Sequence, residues 1–223
     1  MNTVRLRWLG RRPYLPVWRA MQRFTAARTR ETEDEIWLLE HEPVYTVGVR
    51  GDRALRRICD IPVVATDRGG LITYHGPGQL IAYPLLDLAR LGLSVRDLVT
   101  ALETVTIDVL RQYGIAGHAR RDAPGVYVDG AKIASLGIRV RRFRSYHGLA
   151  LNVDLDLAPF QRIDPCGYRG LAMTRLADLG VGAGVHEVTV PLLGALLKRL
   201  GLTSVSTRLD NLPDEDIRHD RPA

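Results

Sequence analysis

Hydrophobic and polar residues alternate with period two in several short segments, which is the pattern of a β-strand with one buried face. Residues 4–8 alternate apolar side chains with arginines near the start of the chain. A second alternation covers 134–140, after the apolar segment 125–128 and the Asp-Gly pair at 129–130, a pair typical of a tight hairpin turn. Further strands are predicted at the apolar segments 36–40, 44–48, 61–65, 80–88 and 149–153.

Other segments place their apolar residues three or four positions apart, as on one face of a helix. Ser94 is a typical N-cap residue, and it predicts a helix that continues to about Tyr113 and ends at Gly114. Three more helices are predicted at 17–30, 174–179 and 188–200.

The strands cluster in hairpin-like groups between separate helical segments, whereas a doubly wound fold would need regular alternation of strand and helix. The expected fold class is therefore α+β, with a mostly antiparallel or mixed sheet and packed helices. The length of 223 residues is enough for one sizeable core. We expect a single domain over 1–209, followed by a charged, proline-bearing and flexible C-terminal tail over 210–223.

Composition and charge exclude some classes of protein. The mean hydropathy is −0.06, and no segment approaches the ~18 consecutive apolar residues of a membrane span, so no transmembrane protein is expected. No secretory signal is visible and the two cysteines lie far apart in sequence, which predicts a cytoplasmic protein with free thiols. The net charge of +6 suits an acidic partner, or it reflects a general preference for arginine.

The densest run of glycines lies at 68–79, with the sequence RGGLITYHGPGQ. It matches neither the P-loop pattern nor the dinucleotide-binding pattern. Residues 75–78 fit the GXXG loop of RNA-binding KH modules only superficially, because Pro77 interrupts the loop. Since glycines let a backbone approach a ligand closely, the segment is either a wall of a binding site or a hairpin around a core histidine.

Of the two cysteines, Cys166 is the better candidate nucleophile. It lies between Pro165 and Gly167 in a loop-like sequence, whereas a structural thiol is usually found in an apolar element. Cys59 has the context of a residue that fills space near a strand.

Lys132 is unusual because the chain otherwise uses arginine for positive charge, with Lys198 as the only other lysine. Arginine does not release its proton at physiological pH, whereas lysine can exchange one. Lys132 is therefore a candidate for proton transfer, and the alternative is a solvated lysine in a hairpin.

The histidines do not suggest a metal centre, because no pair has the i,i+4 spacing of a zinc-binding helix. His75 or His147 could instead serve Cys166 as the base of a cysteine–histidine dyad, and sequence distance does not exclude either pairing.

Taken together, these motifs resemble one known family, the lipoyl(octanoyl) transferases. The similarity covers roughly residues 36–180, with its motifs in the expected order. The matching segments are 40–48 (EHEPVYTVG), 68–79 (RGGLITYHGPGQ), 125–128 (GVYV), 132–137 (KIASLG), 147–153 (HGLALNV) and 163–167 (IDPCG).

The resemblance implies the fold of biotin/lipoate-protein ligase catalytic domains and an acyltransferase that needs no cofactor. It implies transfer of an octanoyl or lipoyl group from acyl carrier protein to a specific lysine of lipoyl domains. These acceptors are the lipoyl domains of 2-oxoacid dehydrogenase complexes and the glycine cleavage H protein. Cys166 is then the nucleophile that carries the acyl thioester, and Lys132 is its catalytic partner. The substrate-binding residues implied are Arg68, Gly69, Gly70, Leu71, Ile72, Thr73, Tyr74, His75, Ser135, Leu136, Gly137, Gly148, Leu149 and Ala150.

Three alternatives stay open at this point. An ATP-dependent lipoate- or biotin-protein ligase shares the implied fold, but it forms an acyl-adenylate and needs no cysteine such as Cys166. A non-catalytic module that binds RNA or an acidic partner would show no transfer activity. A cysteine hydrolase would use water as its acyl acceptor.

Overall fold

The structure, a computed structural model, describes residues 2–52, 57–168 and 170–213, with every side chain in these ranges except those of 166 and 206–209. Within these residues the chain forms two sheets and four α-helices. The strands are β1 (Asn2–Arg12), β2 (Asp34–His41), β3 (Val44–Val47), β4 (Arg57–Ile58), β5 (Ile61–Ala65), β6 (Ile72–His75), β7 (Gln79–Leu85), β8 (His118–Ala119), β9 (Gly125–Val128), β10 (Ala131–Arg141), β11 (Arg144–Asn152) and β12 (Leu202–Leu209). The helices are α1 (Tyr14–Ala27), α2 (Leu88–Leu91), α3 (Val95–Gln112) and α4 (Val185–Leu200).

The large sheet has the strand order β12-β1-β2-β7-β11-β10-β9-β8. Strand β1 pairs in parallel with both β12 and β2. The remaining pairings of the large sheet, from β2 across to β8, are antiparallel. The small sheet has the order β4-β5-β3-β6, with one parallel pairing, between β3 and β5. Because the helices are separate from the strand groups, the fold is α+β with mixed sheets, as the sequence predicted.

The large sheet separates two apolar cores, and the alternation along β11 shows how. Leu149 and Leu151 belong to the cluster under α3 and α4, whereas Tyr146 and Ala150 belong to the cluster under α1. Successive side chains of a strand point to opposite faces, so one strand contributes to both cores. The sheet is therefore covered by helices on both sides.

Helix α3 begins where the sequence predicted. The Ser94 hydroxyl accepts a hydrogen bond from the Asp97 amide at 3.1 Å, and the Asp97 carboxylate accepts one from the Ser94 amide at 2.8 Å. This reciprocal capping box satisfies two amides that have no partner inside the helix.

The small sheet has its own apolar cluster and lies beside the turn that carries Cys166. Tyr45, Tyr74 and Phe160 pack together in this cluster. The Tyr45 hydroxyl donates a 2.8 Å hydrogen bond to the carbonyl of Pro159. Strand β6 also contacts the 3₁₀ turn Pro165–Gly167, so the glycine-rich segment and this turn are neighbours.

The helix predicted over 174–179 is wrong, since only a 3₁₀ turn, Ala177–Leu179, forms there. The backbone of Thr174 is bonded elsewhere: its amide donates to the Lys132 carbonyl at 3.0 Å, and its carbonyl accepts from Asn152 Nδ2 at 2.9 Å. These tertiary bonds hold the segment extended.

The strand predicted over 80–88 ends earlier, at Leu85. The Leu86 amide donates to the Ser145 hydroxyl at 3.0 Å, and Asp87 caps α2 by accepting from the Arg90 amide at 3.1 Å. These side-chain hydrogen bonds accompany the last backbone pairing beyond β7, an antiparallel bridge between Asp87 and Arg144.

The C-terminal segment packs on the body of the domain as far as the structure describes it. Arg7 donates a 2.7 Å hydrogen bond to the Asn211 carbonyl, and Leu212 is buried in the α1 cluster. Most of the tail expected over 210–223 lies outside the described residues. Among the described helices, none is long and apolar enough to cross a membrane.

Candidate active site

A cavity with an empty volume of about 550 Å³, counted with its open mouth, lies between β10, β11 and the glycine-rich segment. Every predicted substrate-binding residue except Gly69 and Tyr74 lines it. The lining residues are Tyr14, Arg68, Gly70, Leu71, Ile72, Thr73, His75, Tyr83, Lys132, Ser135, Leu136, Gly137, His147, Gly148, Leu149, Ala150 and Pro165. Three segments that are distant in sequence thus line one cavity.

Gly69 and Tyr74, the two predicted residues that do not line the cavity, have structural roles instead. The Gly69 amide donates a 3.2 Å hydrogen bond to the Ile138 carbonyl, which joins the glycine-rich segment to β10. Tyr74 lies on β6 between cavity-lining neighbours, so its ring points to the opposite side and packs on Tyr45 and Phe160.

Gly148 is needed where β11 passes β7. A Cβ at this position would lie 2.3 Å from the Ala82 carbonyl oxygen and 2.6 Å from Pro84 Cδ. No side chain fits that space, so the wall of the cavity stays flat here.

Lys132 is fully buried, so the alternative of a solvated hairpin lysine is wrong. Its Nζ donates a 2.9 Å hydrogen bond to the Pro124 carbonyl and lies 5.3 Å from the centre of the Tyr127 ring. The Lys132 amide donates to the Ala172 carbonyl at 2.8 Å. This bond ties the segment after the cysteine-bearing turn to β10.

Cys166 lies in the 3₁₀ turn Pro165–Gly167, and the preceding Pro165 lines the same cavity as Lys132. The structure therefore places the cysteine-bearing turn and the lysine at one cavity. Cys59, by contrast, is exposed in the turn between β4 and β5, with φ of 52°, so the interpretation that it fills space near a strand is wrong.

His75 is buried, and hydrogen bonds occupy both of its ring nitrogens. Arg68 donates to the Thr46 hydroxyl oxygen at 3.0 Å, which leaves the hydroxyl proton to donate to His75 Nε2 at 3.2 Å. His75 Nδ1 donates to Gln79 Oε1 at 2.7 Å, and the Gln79 amide group donates to Asn152 Oδ1 at 3.0 Å. Burial first, then the neighbouring His41 and Arg68, holds the pKa of His75 well below its ordinary value.

This arrangement gives His75 the character of a structural residue. With both nitrogens engaged and its protonation disfavoured, the ring has no free site for accepting a proton from a thiol. The geometry therefore does not favour the pairing of His75 with Cys166.

Asp67 connects α1, the glycine-rich segment and β11. It accepts hydrogen bonds from Trp18 Nε1 at 2.8 Å, from Gln22 Nε2 at 3.2 Å, from His147 Nε2 at 3.0 Å and from the Tyr146 hydroxyl. Burial raises the pKa of Asp67, but the bonds from His147, Tyr146 and Trp18 outweigh it and hold the pKa below its ordinary value. Asp67 is thus ionised, and its hydrogen bonds hold α1 and β11 together beside the glycine-rich segment.

His147 has φ of 57°, a conformation that side chains rarely adopt. In a regular strand, His147 would point to the same face as Leu149, under α3 and α4. The positive φ instead turns its ring toward Asp67 and the cavity. Burial lowers the pKa of His147 in spite of the Asp67 carboxylate, so the ring is neutral near pH 7.

Tyr14 and Tyr83 also line the cavity, and the sequence analysis missed both. Tyr14 begins α1, and its ring stacks on His75 with 6.0 Å between ring centres. Burial raises the pKa of both phenols, that of Tyr83 well above its ordinary value. Tyr83 lies in an entirely apolar strand pattern, and Tyr14 has no local motif, so no sequence signal marks either.

Part of the cavity wall is therefore built from neutral aromatic and imidazole rings, with Arg68 and Lys132 also in the lining. Such a wall suits an uncharged, mainly hydrocarbon chain, while the reactive end of that chain would lie near Lys132 and the cysteine-bearing turn.

A family model and closely similar relatives place this sequence in the same family. The chain matches the family model of the lipoyl protein ligase A/B catalytic domain over residues 13–196. It is 60% identical over 199 residues to an octanoyltransferase from Methylococcus capsulatus, covering 88% of this chain and 95% of the relative. An octanoyltransferase from Halorhodospira halophila is 55% identical over 211 residues, covering 94% of this chain and 97% of the relative.

Solved structures show the same fold at low sequence identity. A crystal structure of lipoate-protein ligase A bound with ATP superimposes with a TM-score of 0.77 at 14% identity, covering 97% of this chain and 93% of that chain. A biotin protein ligase from Aquifex aeolicus gives a TM-score of 0.54 at 14% identity, covering 88% of this chain and 68% of that chain. These likenesses confirm the biotin/lipoate-protein ligase fold that the resemblance implied. Since the family model spans most of the chain and the relatives align over nearly their whole length, the chain belongs to the lipoyl protein ligase A/B catalytic-domain family.

Proposed function

We propose that the chain is an octanoyltransferase that moves an octanoyl group from acyl carrier protein to a lysine of lipoyl domains, through a thioester on Cys166. One observation carries the proposal: Lys132 is buried at the same cavity as the turn that holds Cys166. The high identity to octanoyltransferases supports the same reaction.

In the first step the Cys166 thiolate attacks the carbonyl carbon of the octanoyl thioester. A new C–S bond forms to Cys166, and the C–S bond to the carrier breaks. The departing carrier thiolate takes a proton from the ammonium of Lys132. Because one thioester replaces another, this step has little change in bond energy.

In the second step the acceptor amine attacks the acyl-enzyme. The neutral Lys132 amine accepts the proton that the attacking nitrogen loses, and the C–S bond to Cys166 breaks. The product is an amide, the cysteine is again a thiolate and the lysine is again an ammonium. The cationic lysine also lowers the pKa of a thiol beside it, which favours the nucleophilic form.

The cavity supplies the binding site for the acyl chain. Gly70, Gly137 and Gly148 leave its walls without bulky side chains, and the rings of Tyr14 and Tyr83 are uncharged. An octanoyl chain would be held by burial of its methylene groups rather than by charge.

The expected acceptors are the lipoyl domains of 2-oxoacid dehydrogenase complexes and the glycine cleavage H protein, in keeping with the family. We place the reaction in the cytoplasm, where the exposed free thiol of Cys59 would stay reduced. The net charge of +6 suits an acidic carrier as donor.

The test is incubation with octanoyl-acyl carrier protein and an apo lipoyl domain in the absence of ATP, followed by mass spectrometry of the acceptor. We expect one octanoyl group on the acceptor lysine. Transfer that occurs only with free octanoate, ATP and magnesium would overturn the proposal and identify an ATP-dependent ligase.

A further inference from the structure

A single peptide unit joins a carboxylate to the buried lysine. The carbonyl of Pro124 accepts the 2.9 Å hydrogen bond from Lys132 Nζ. The amide of Gly125, in the same peptide group, donates a 2.9 Å hydrogen bond to Glu103 Oε1 on α3. In a trans peptide the N–H and C=O bonds point in opposite directions, so carboxylate, peptide and ammonium form one chain.

The contact between this peptide and the lysine is tight. Gly125 has φ of 144°, and a Cβ there would lie 2.4 Å from Lys132 Cε and 2.9 Å from Nζ. The lysine therefore packs directly against the backbone that Glu103 holds from the other side. Helix α3 thus reaches the reactive end of the cavity through one hydrogen-bonded peptide.

In the series of Glu103 carboxylate, Pro124–Gly125 peptide and Lys132 ammonium, each group interacts favourably with the next. A carboxylate that accepts from an amide polarises the peptide and makes its carbonyl oxygen a stronger acceptor. The stronger acceptor and the negative charge behind it both favour an ammonium over a neutral amine. Burial raises the pKa of Glu103, while the Gly125 amide and the charge of Lys132 act in the opposite direction, which is the reciprocal of the same interaction.

We propose that Glu103 is a positioning residue of the reaction: through the Pro124–Gly125 peptide it directs the Lys132 ammonium and keeps it protonated in the resting enzyme. The inference rests on the proposed role of Lys132 in proton transfer.

Other ionisable groups face this pair, and all of them except Cys166, which the titration replaces by serine, are common to the variants compared below. Tyr127 of β9 lies under the ammonium, and Cys166 is the proposed reaction partner. On the cavity side the lining includes Arg68, His75 and His147. The groove beside Glu103 is lined by Arg96, Arg120 and Arg121.

The test uses the scarcity of lysine in this chain. Enzyme labelled with ¹³C at lysine Cε gives signals from Lys132 and Lys198 only, and Lys198→Arg assigns them. Titration in a Cys166→Ser background removes the coupled ionisation of the thiol. Glu103→Gln keeps an oxygen that can accept from the Gly125 amide but removes the charge. We expect it to lower the titration midpoint of Lys132 by ~0.5–1 pH unit and to leave Lys198 unchanged.

Asp108→Asn is the matched control, because Asp108 is an exposed carboxylate on the same helix, paired with Arg111 at 2.8 Å. It should leave the Lys132 midpoint in place. In the enzyme with Cys166 intact, Glu103→Gln should shift the basic limb of the pH dependence of kcat/KM to lower pH by the same amount.

A Lys132 midpoint that is equal in Glu103→Gln and in the parent would overturn the proposal, whether or not activity falls. Glu103→Ala, which removes the acceptor as well, should also broaden or displace the Lys132 signal; an unchanged signal would contradict the positioning role. Far-ultraviolet circular dichroism reports whether each variant is folded. The titration needs no substrate. Absence of octanoyl transfer would therefore contradict the proposed function without changing the measured Lys132 midpoints.

Discussion

At the scale of single residues, burial changes what Lys132 can do. The side chain is inaccessible to solvent, with its ammonium held on the Pro124 carbonyl and beside the Tyr127 ring. A solvated lysine would exchange protons with water, whereas this one can exchange them only with groups at the cavity. Gly125 packs directly against it, since a Cβ there would lie 2.4 Å from Lys132 Cε.

Lys132→Arg should therefore abolish most activity although the charge is kept. Arginine does not release its proton at working pH, and loss of proton transfer typically costs about 10²–10⁴-fold in rate. Steady-state transfer assays measure the loss, and Lys198→Arg is the control. Turnover of Lys132→Arg close to that of the parent would remove the proton-transfer role and leave only electrostatic support.

Cys166 should form a covalent intermediate. With octanoyl-acyl carrier protein and no acceptor, the acyl group can leave the enzyme only by reversal or slow hydrolysis, so an octanoyl adduct should accumulate. Mass spectrometry should map it to the peptide that carries Cys166. The adduct should be absent in Cys166→Ala and Cys166→Ser, since a hydroxyl is much harder to ionise than a thiol.

Cys59→Ala is the matched control for that experiment, because Cys59 is an exposed thiol outside the cavity. It should retain both the adduct and the transfer activity. Full transfer by Cys166→Ala would mean direct attack of the acceptor amine on the bound donor, and the thioester mechanism would have to be abandoned.

At the scale of elements, some parts of the structure are determined locally and others are not. Helix α3 was predictable because Ser94 and Asp97 cap it with side chains three residues apart. The helix expected over 174–179 fails because Thr174 bonds to Lys132 and Asn152, which are distant in sequence. A pattern of spacing does not contain such tertiary bonds.

The residues of the cavity also divide into those that the sequence predicts and those that only the tertiary structure reveals. Its glycine-rich wall and the segments 135–137 and 148–150 were accessible through motif order, and the structure brings them together. Tyr14 and Tyr83 could not be predicted in this way. Tyr14 reaches the cavity because α1 packs on the sheet, and Tyr83 because of the place of β7 within the sheet. Similarly, the sequence named His75 as a possible base, and only the hydrogen bonds from Thr46 and to Gln79 show that its nitrogens are engaged.

Asp67 gives a prediction at this scale, because its carboxylate joins three elements. Asp67→Asn should lower the free energy of unfolding at pH 7 by about 1–3 kcal/mol, since charged hydrogen bonds to Trp18, Tyr146 and His147 are weakened. The folded pKa is below the ordinary value, so this stabilisation is present above the unfolded pKa and is lost as pH falls through the folded one.

Denaturant titrations at pH 7 and near pH 3 measure the effect. The difference between the parent and Asp67→Asn should narrow at the lower pH. Asp60→Asn is the control, because its side chain is fully exposed, and it should change neither value. A difference that is equal at both pH values would show that the Asp67 charge does not stabilise the fold.

At the scale of the whole molecule, the two sheets bring together segments that are far apart in the chain, and the reactive end of the cavity lies where they meet. The small sheet supplies β6 and the large sheet supplies β10 and β11, with the turn Pro165–Gly167 beside them. Both partners of the reaction are expected to be proteins. The proposed function requires the surface around the cavity to accept a carrier and then a lipoyl domain in turn.

The net charge of +6 gives the last prediction, which concerns the carrier. If positive charge steers an acidic carrier to the enzyme, salt should weaken the attraction, because the Debye length falls to ~8 Å near physiological ionic strength. The apparent KM for octanoyl-acyl carrier protein should then rise between low and physiological salt, with kcat nearly constant. A small octanoyl thioester without a carrier protein is the control: it has no charged surface, so its KM should respond little to salt. Equal responses of the two donors would show that the charge of the chain is a matter of composition and has no part in docking.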